Sequence, residues 1–163
     1  MPSDPVIAWR EGQLETRAID QATACLRTGG VVGMPTETVY GLAARAADAV
    51  AVRRVFQIKG RPLDHPVIVH VAGAQDIAGW AVEVPRYARD LAAALWPGPL
   101  TLVVPAADST GRYLTGGQDT VGLRCPAHPV ALALIEAAGA VAAPSANRVA
   151  LGAATAPAAS IRA

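Results

Sequence analysis

Lys59 and Arg61 stand two residues apart near the end of a helical stretch, and Lys59 is the only lysine among the 14 lysines and arginines of the chain. Lysine carries a compact charge on a flexible stem, whereas arginine presents a planar fork that can take two oxygens at once. The pair therefore suits a polyphosphate. Taken alone, the same charges are also what a helix dipole collects at a C-terminal end. Thr36, Glu37, Thr38 and Tyr40 crowd donors and acceptors into a segment that follows a short apolar run. Hydroxyls there can hold a small polar ligand or simply brace a turn. Arg124 closes the apolar run Val121–Leu123, and a cation at such a strand end suits a carboxylate; an exposed strand-end charge is the plain alternative. Ser145 and Asn147 follow Pro144 and are ordinary turn formers that gain interest beside the Lys-x-Arg pair. His70 sits in an apolar strand and reads either as pocket lining or as a core histidine, while His65 and His128 are weaker candidates and His128 fits a helix cap. Cys125 is read as buried and inert rather than as a nucleophile.

The elements that must position these residues alternate. Apolar positions at helical spacing run from Leu14 to Leu26 and stop at Gly29 and Gly30; Val31–Met34 follows as a short buried strand. Asp48 caps a helix that ends near Gly60, and Val67–Val71 is a β-branched strand. Pro85 opens a helix with Tyr87, Leu91 and Leu95 on one stripe. Leu100–Val104 and Thr120–Arg124 read as strands, separated by a polar loop. His128 and Pro129 begin a helix with Val130, Leu134 and Ala138 inward, closed by Gly139, and Val141–Ala143 makes a last short strand. Such alternation predicts an α/β sheet flanked by helices, with ligand groups at strand ends.

Composition bounds the rest. A chain of 163 residues, 52% hydrophobic and 17% charged, suits one domain over 1–163 with its own core. A net charge of +1 gathers no polyanion by bulk field, so an anion site must come from local clustering. Neither a P-loop nor a G-x-G-x-x-G fingerprint occurs. Two cysteines far apart, no secretory start and no long apolar span predict a cytoplasmic protein without a membrane segment.

Over residues 14–147 the chain resembles the YrdC-like family of threonylcarbamoyl-AMP synthases. The likeness rests on Gly29–Leu42, on Lys59-Gly-Arg61, on Trp96–Thr101, on Val121–Pro129 and on Ser145-Ala-Asn147. It implies a single-domain, twisted open sheet flanked by helices, with a large concave basic cavity. It further implies ATP-dependent synthesis of threonylcarbamoyl-AMP from L-threonine and bicarbonate or CO2, with release of pyrophosphate and with Mg2+. The product would pass to a tRNA threonylcarbamoyl transferase, and direct tRNA binding is compatible with the basic cavity. By the same resemblance Thr38, His70, Arg124 and the main chain of Ala143 would hold threonine. Lys59, Arg61, His65, Thr120, Ser145 and Asn147 would line the nucleotide and phosphate region, with Lys59 and Arg61 catalytic. Which residues would hold the metal is left open. Two other readings stay open: a carbamoyl-adenylate-forming carbamoyltransferase domain, and an inert RNA-binding module. Residues 148–163 depart from the family's hydroxyl-rich continuation, so a truncated or replaced tail is expected there.

Overall fold

The computed structural model of the protein describes residues 16–147. Leu14, where the first helix is expected to start, and the tail 148–163 lie outside the described residues, as does part of the expected 1–163 domain.

Helix α1 (Thr16–Arg27) buries Ala18, Ala22, Thr23 and Leu26 along one stripe, as its spacing predicts. The chain then enters β1 (Val32–Met34), which pairs antiparallel with β2 (Gly41–Arg45). β1 is an edge strand with Gly33 exposed rather than the fully buried strand expected. β2 carries no β-branched residue and escapes a propensity reading. Its small side chains are instead a packing requirement, because Leu42 and Ala44 face one core and Ala43 the other.

Asp48 starts α2 (Ala49–Lys59) as expected, its Oδ1 accepting the N–H groups of Val50 and Ala51, each at 3.0 Å. Gly60 ends the helix in the left-handed region at φ 64°, a conformation glycine takes without steric cost. Beyond it, β3 is only Val69–His70, and a 3-10 turn at Ala74–Gly79 went unread. Helix α3 (Arg86–Leu95) is present, yet its buried face is Ala88 and Ala92, while Tyr87, Leu91 and Leu95 are exposed. The apolar stripe thus points outward, and the alanines allow close approach to the sheet. After β4 (Leu102–Pro105), a short helix α4 (Arg112–Thr115) interrupts the predicted loop. Strand β5 (Thr120–Arg124) matches the predicted bounds. Helix α5 (Pro129–Ala138) opens on His128, whose Nδ1 accepts the Val130 N–H at 3.2 Å. It buries Ala131, Leu134, Ile135 and Ala138, with Val130 only half-buried. The last described strand is β6 (Val141–Ala142).

The sheet runs β1-β2-β6-β3-β5-β4, and β3–β5 is the parallel pair among these six strands. On one face Val52, Val55, Phe56, Leu102, Leu114 and Leu123 build the larger core. On the other face α1 and α5 pack through Leu26, Leu134 and Ile135 against Ala43, Val141 and Ala143. Over β3, β5 and β4 that second face carries half-exposed Gly122 and the exposed Ile68 and Val103. His70 and Arg124 stand on this open side. Among the described residues no helix is long and apolar enough to cross a membrane.

Asp48→Ala removes the cap of α2 and frees two N–H groups, which costs about 1 kcal/mol. Urea denaturation should show that loss with an unchanged dependence on denaturant concentration.

Candidate functional site

The register of the parallel pair sets His70 directly opposite Arg124. From there a hollow of about 290 Å³ extends to the loop after β1 and to the chain leaving β6. Thr38, Arg61, His70, Arg124, Ala143 and Ser145 all line it, so six residues singled out from sequence meet at one place. Its volume sits at the low end for small-molecule sites. Lys59 and Asn147 are not among the lining residues, though Lys59 is bonded to the main chain of Ser145 and Asn147. His65 is exposed on the loop after Arg61, and Thr120 lies at the far end of β5; neither borders the hollow.

Lys59 is buried at 5% exposure. Its ammonium donates to the carbonyl oxygens of Ser145 and Asn147, the latter at 2.6 Å. It is therefore not the solvated helix-end charge that its position alone allows. Burial first, then the positive charge of Arg61, lowers its pKa below the ordinary lysine value. Arg61 lies over the Phe56 ring at 5.5 Å and donates from Nη2 to the Pro66 carbonyl at 2.6 Å. Burial lowers its pKa as well, but guanidinium stays charged.

Arg124 donates from Nη2 to Glu37 Oε1 and, at 3.1 Å, to Thr38 Oγ1. The other Glu37 oxygen accepts the Ala127 N–H at 2.7 Å. Burial pushes the Glu37 carboxyl up, yet backbone hydrogen bonds from Glu37 and Ala127, together with Arg124, overcome this and hold it below the usual range. Thr36 is committed to its own turn: Oγ1 accepts the N–H groups of Thr38 and Val39 at 3.3 and 3.2 Å and donates to the Val39 carbonyl at 2.5 Å. His70 is 3% exposed. Burial, reinforced by Arg124, drives its pKa down to about 4 against the opposing pull of Ile68 and Glu37, so the imidazole is neutral at pH 7.

Of the five buried side-chain polar atoms that lack a partner among the described residues, Arg61 Nε, His70 Nδ1 and Arg124 Nε belong to residues that line the hollow, and Asn147 Oδ1 to the segment that follows Ser145. Such atoms are rare in folded proteins and call for a ligand or water. Two guanidinium side chains lining one hollow suit an anionic oxygen-rich ligand. By contrast, Cys125 is 1% exposed with its thiol pushed up to about 11 by burial, in agreement with an inert role. A second hollow of about 370 Å³ lies on the far side of the loop after Arg61. There the Tyr113 hydroxyl is bonded to the Ala46 carbonyl and Arg112 to the Gly117 carbonyl.

Two features are not legible in the sequence. Glu37 belongs to the polar segment singled out above, but its partners lie 87 and 90 residues away, which no local pattern reveals. Gly41 carries a close approach, since a Cβ there would meet the Ala143 Cβ at 3.1 Å; its position at the end of the polar loop was the available hint.

The structure is thus an open α/β sheet in which His70 and Arg124 at two parallel strand ends, with Arg61 from the loop after α2, line one hollow. A family model for Sua5, YciO and YrdC proteins, described as "Telomere recombination", matches residues 24–162, and the chain belongs to this family. It is 49% identical over 136 residues to a threonylcarbamoyl-AMP synthase of Pyrococcus abyssi, covering 83% of this chain and 40% of that protein. A Bacillus subtilis protein of the same name is 47% identical over 131 residues, covering 79% of this chain and 38% of that protein. The crystal structure of P. abyssi Sua5 complexed with L-threonine superposes with a TM-score of 0.81, over 83% of this chain and 40% of that one. The chain thus spans about two fifths of the length of these relatives.

The buried His70 makes stability depend on pH. In the unfolded chain it takes up a proton near 6.5, in the folded one only near about 4. The unfolded state therefore binds more protons between those values, and stability falls as pH drops through that window. The loss amounts to about 3 kcal/mol at 1.36 kcal/mol per pH unit. Denaturation followed from pH 7 to pH 4 should show it in the wild type, and His70→Gln should flatten the profile there.

Proposed function

We propose that this chain carries the threonylcarbamoyl-AMP synthase chemistry for which its relatives are named, joining L-threonine, bicarbonate or CO2 and ATP into an adenylate with release of pyrophosphate. The observation that carries the reading is the pair of guanidinium side chains, Arg61 and Arg124, lining one hollow beside a neutral imidazole. An amino-acid carboxylate fits Arg124 at the end of β5, with Thr38, His70 and the main chain of Ala143 around it. The phosphates fit Arg61, Ser145 and Asn147. The nucleoside extends along the open sheet face toward Thr120, with His65 on the adjoining loop. Lys59 uses two of its three N–H donors on carbonyl oxygens and keeps a third for a phosphate oxygen.

The chemistry follows from that placement. Threonine nitrogen adds CO2 to give a carbamate, whose oxygen attacks the α-phosphorus while the bond to pyrophosphate breaks. No covalent enzyme intermediate is needed. The residues align the two reactants and stabilise charge growing on phosphate oxygens. Among the described residues no group of three or more His, Cys, Asp or Glu could hold a metal ion. No step is therefore assigned to a protein-held magnesium; ATP would bring its own ion, as is usual for this cation. Two free cysteines accord with a reducing cytoplasm, where a tRNA threonylcarbamoyl transferase would take the product.

Incubation of the purified protein with ATP, Mg2+, bicarbonate and threonine should yield pyrophosphate and the adenylate, both dependent on threonine. Pyrophosphate released equally without threonine, or no product at all, counts against the reading. Arg61→Ala should lower turnover about 10²- to 10³-fold, the scale for losing one preorganised donor. Near-normal turnover would remove Arg61 from the phosphate site.

A further inference from the structure

We propose that Glu37 is a positioning residue, one that fixes the Arg124 guanidinium and the turn at Ala127 so that Arg124 meets the substrate carboxylate already oriented. The inference rests on the threonine reading above and adds a residue that touches no substrate in it.

Guanidinium has five N–H donors in a rigid planar fork. Glu37 Oε1 and Thr38 Oγ1 both accept from Arg124 Nη2, and Arg124 Nε is buried without a partner. The Nη2 end of the fork is thus anchored, while the Arg124 side chain still lines the hollow. A guanidinium held at one corner cannot swing about its long stem, so the side chain enters the hollow already oriented, which spares ordering entropy on binding.

The second Glu37 oxygen extends the device. By accepting the Ala127 N–H, it ties the loop after β1 to the turn between β5 and α5. Arg124 is thereby held from in front by Glu37 and from behind by its own strand. Only a carboxylate serves both partners with full strength. An amide in its place keeps one acceptor oxygen and turns an N–H group toward either Arg124 or Ala127. The pair is partly shielded, with side-chain exposures of 11% for Arg124 and 25% for Glu37, so water does not fully replace a lost contact.

The test compares wild type, Glu37→Gln and Glu37→Asp by calorimetric titration with threonine and, separately, with ATP. It adds the Nε–H signal of Arg124 in nitrogen-15 NMR, assigned with Arg124→Lys. Glu37→Gln should weaken threonine about ten-fold or more, leave ATP affinity within about two-fold, raise KM for threonine more than it lowers kcat, and broaden or shift the Arg124 signal. Glu37→Asp should recover part of the threonine affinity. Equal losses for threonine and ATP would mean a general structural role and overturn the proposal. Should the wild type bind no threonine, the proposed substrate fails, and the Arg124 signal decides alone. A signal altered in Glu37→Gln upholds the positioning role, and an unaltered one ends it.

Discussion

A buried ammonium joins the two parts of the molecule that make the site. Lys59 ends α2 with its Nζ against the carbonyl oxygens of Ser145 and Asn147, so a helix on one side of the sheet is fixed to the chain leaving β6. Removing an ammonium from water costs several kcal/mol unless other dipoles replace the water, and the lowered pKa of Lys59 reflects that burial. Two carbonyl groups and the negative end of α2 offset the cost. The carbonyls gain as well, since polar groups at a strand exit need partners when water is excluded. A compact ammonium can direct two of its three N–H groups at converging carbonyls from one atom, whereas a guanidinium spreads its five donors over a planar fork. The lone lysine of an arginine-rich chain stands at that place.

Everything next to Lys59 follows from this anchor. Gly60 reverses the chain in the left-handed region, and Arg61 leaves the helix axis toward the hollow. There Phe56 and the Pro66 carbonyl hold its guanidinium in place. Arg61 cannot move off without breaking both contacts, so two cations stay close together despite their repulsion. The field they create is only partly cancelled. Glu37 compensates Arg124, and His70 stays neutral because burial and Arg124 outweigh the attraction of Glu37. A neutral imidazole adds a polar group to the wall without adding charge. The hollow keeps a net positive character, and an anion is the ligand that relieves it.

Much of this is legible in the sequence. The caps of α2 and α5 were read correctly because Asp48, Gly60 and His128 act through local backbone groups, and local chemistry is what a sequence displays. Strand β2 was missed because Ala43 and Ala44 are chosen by helices packed on both faces, a tertiary demand that overrides strand propensity. Helix α3 was found, but its orientation was not, since alanines at Ala88 and Ala92 outcompete the larger Tyr87, Leu91 and Leu95 for the side nearest the sheet. The site followed the same division. Thr38, Arg61, His70, Arg124, Ala143 and Ser145 were named from type, place and resemblance, and the fold gathers them. His65 and Thr120 carried the same expectation and stand apart from the hollow. Lys59 was read as a charge, while its contacts with main-chain oxygens 86 and 88 residues away lay beyond any local pattern.

The position of the hollow has a topological cause. β6 runs antiparallel to both β2 and β3, whereas β3 and β5 run parallel, so the carboxyl ends of two neighbouring strands point the same way. Open α/β sheets bind ligands just outside such ends. His70 and Arg124 are the last residues of those strands, paired in register. Alternation along each strand then decides which side they face. Val69 and Leu123 enter the larger core, which turns His70 and Arg124 to the opposite face. Among the described elements, α1 and α5 cover that face only across β1, β2 and β6. A single register shift in β5 would exchange Arg124 for Leu123 and place a guanidinium in the apolar core. The pairing that stabilises the core therefore also forces the charge onto the open side of the sheet.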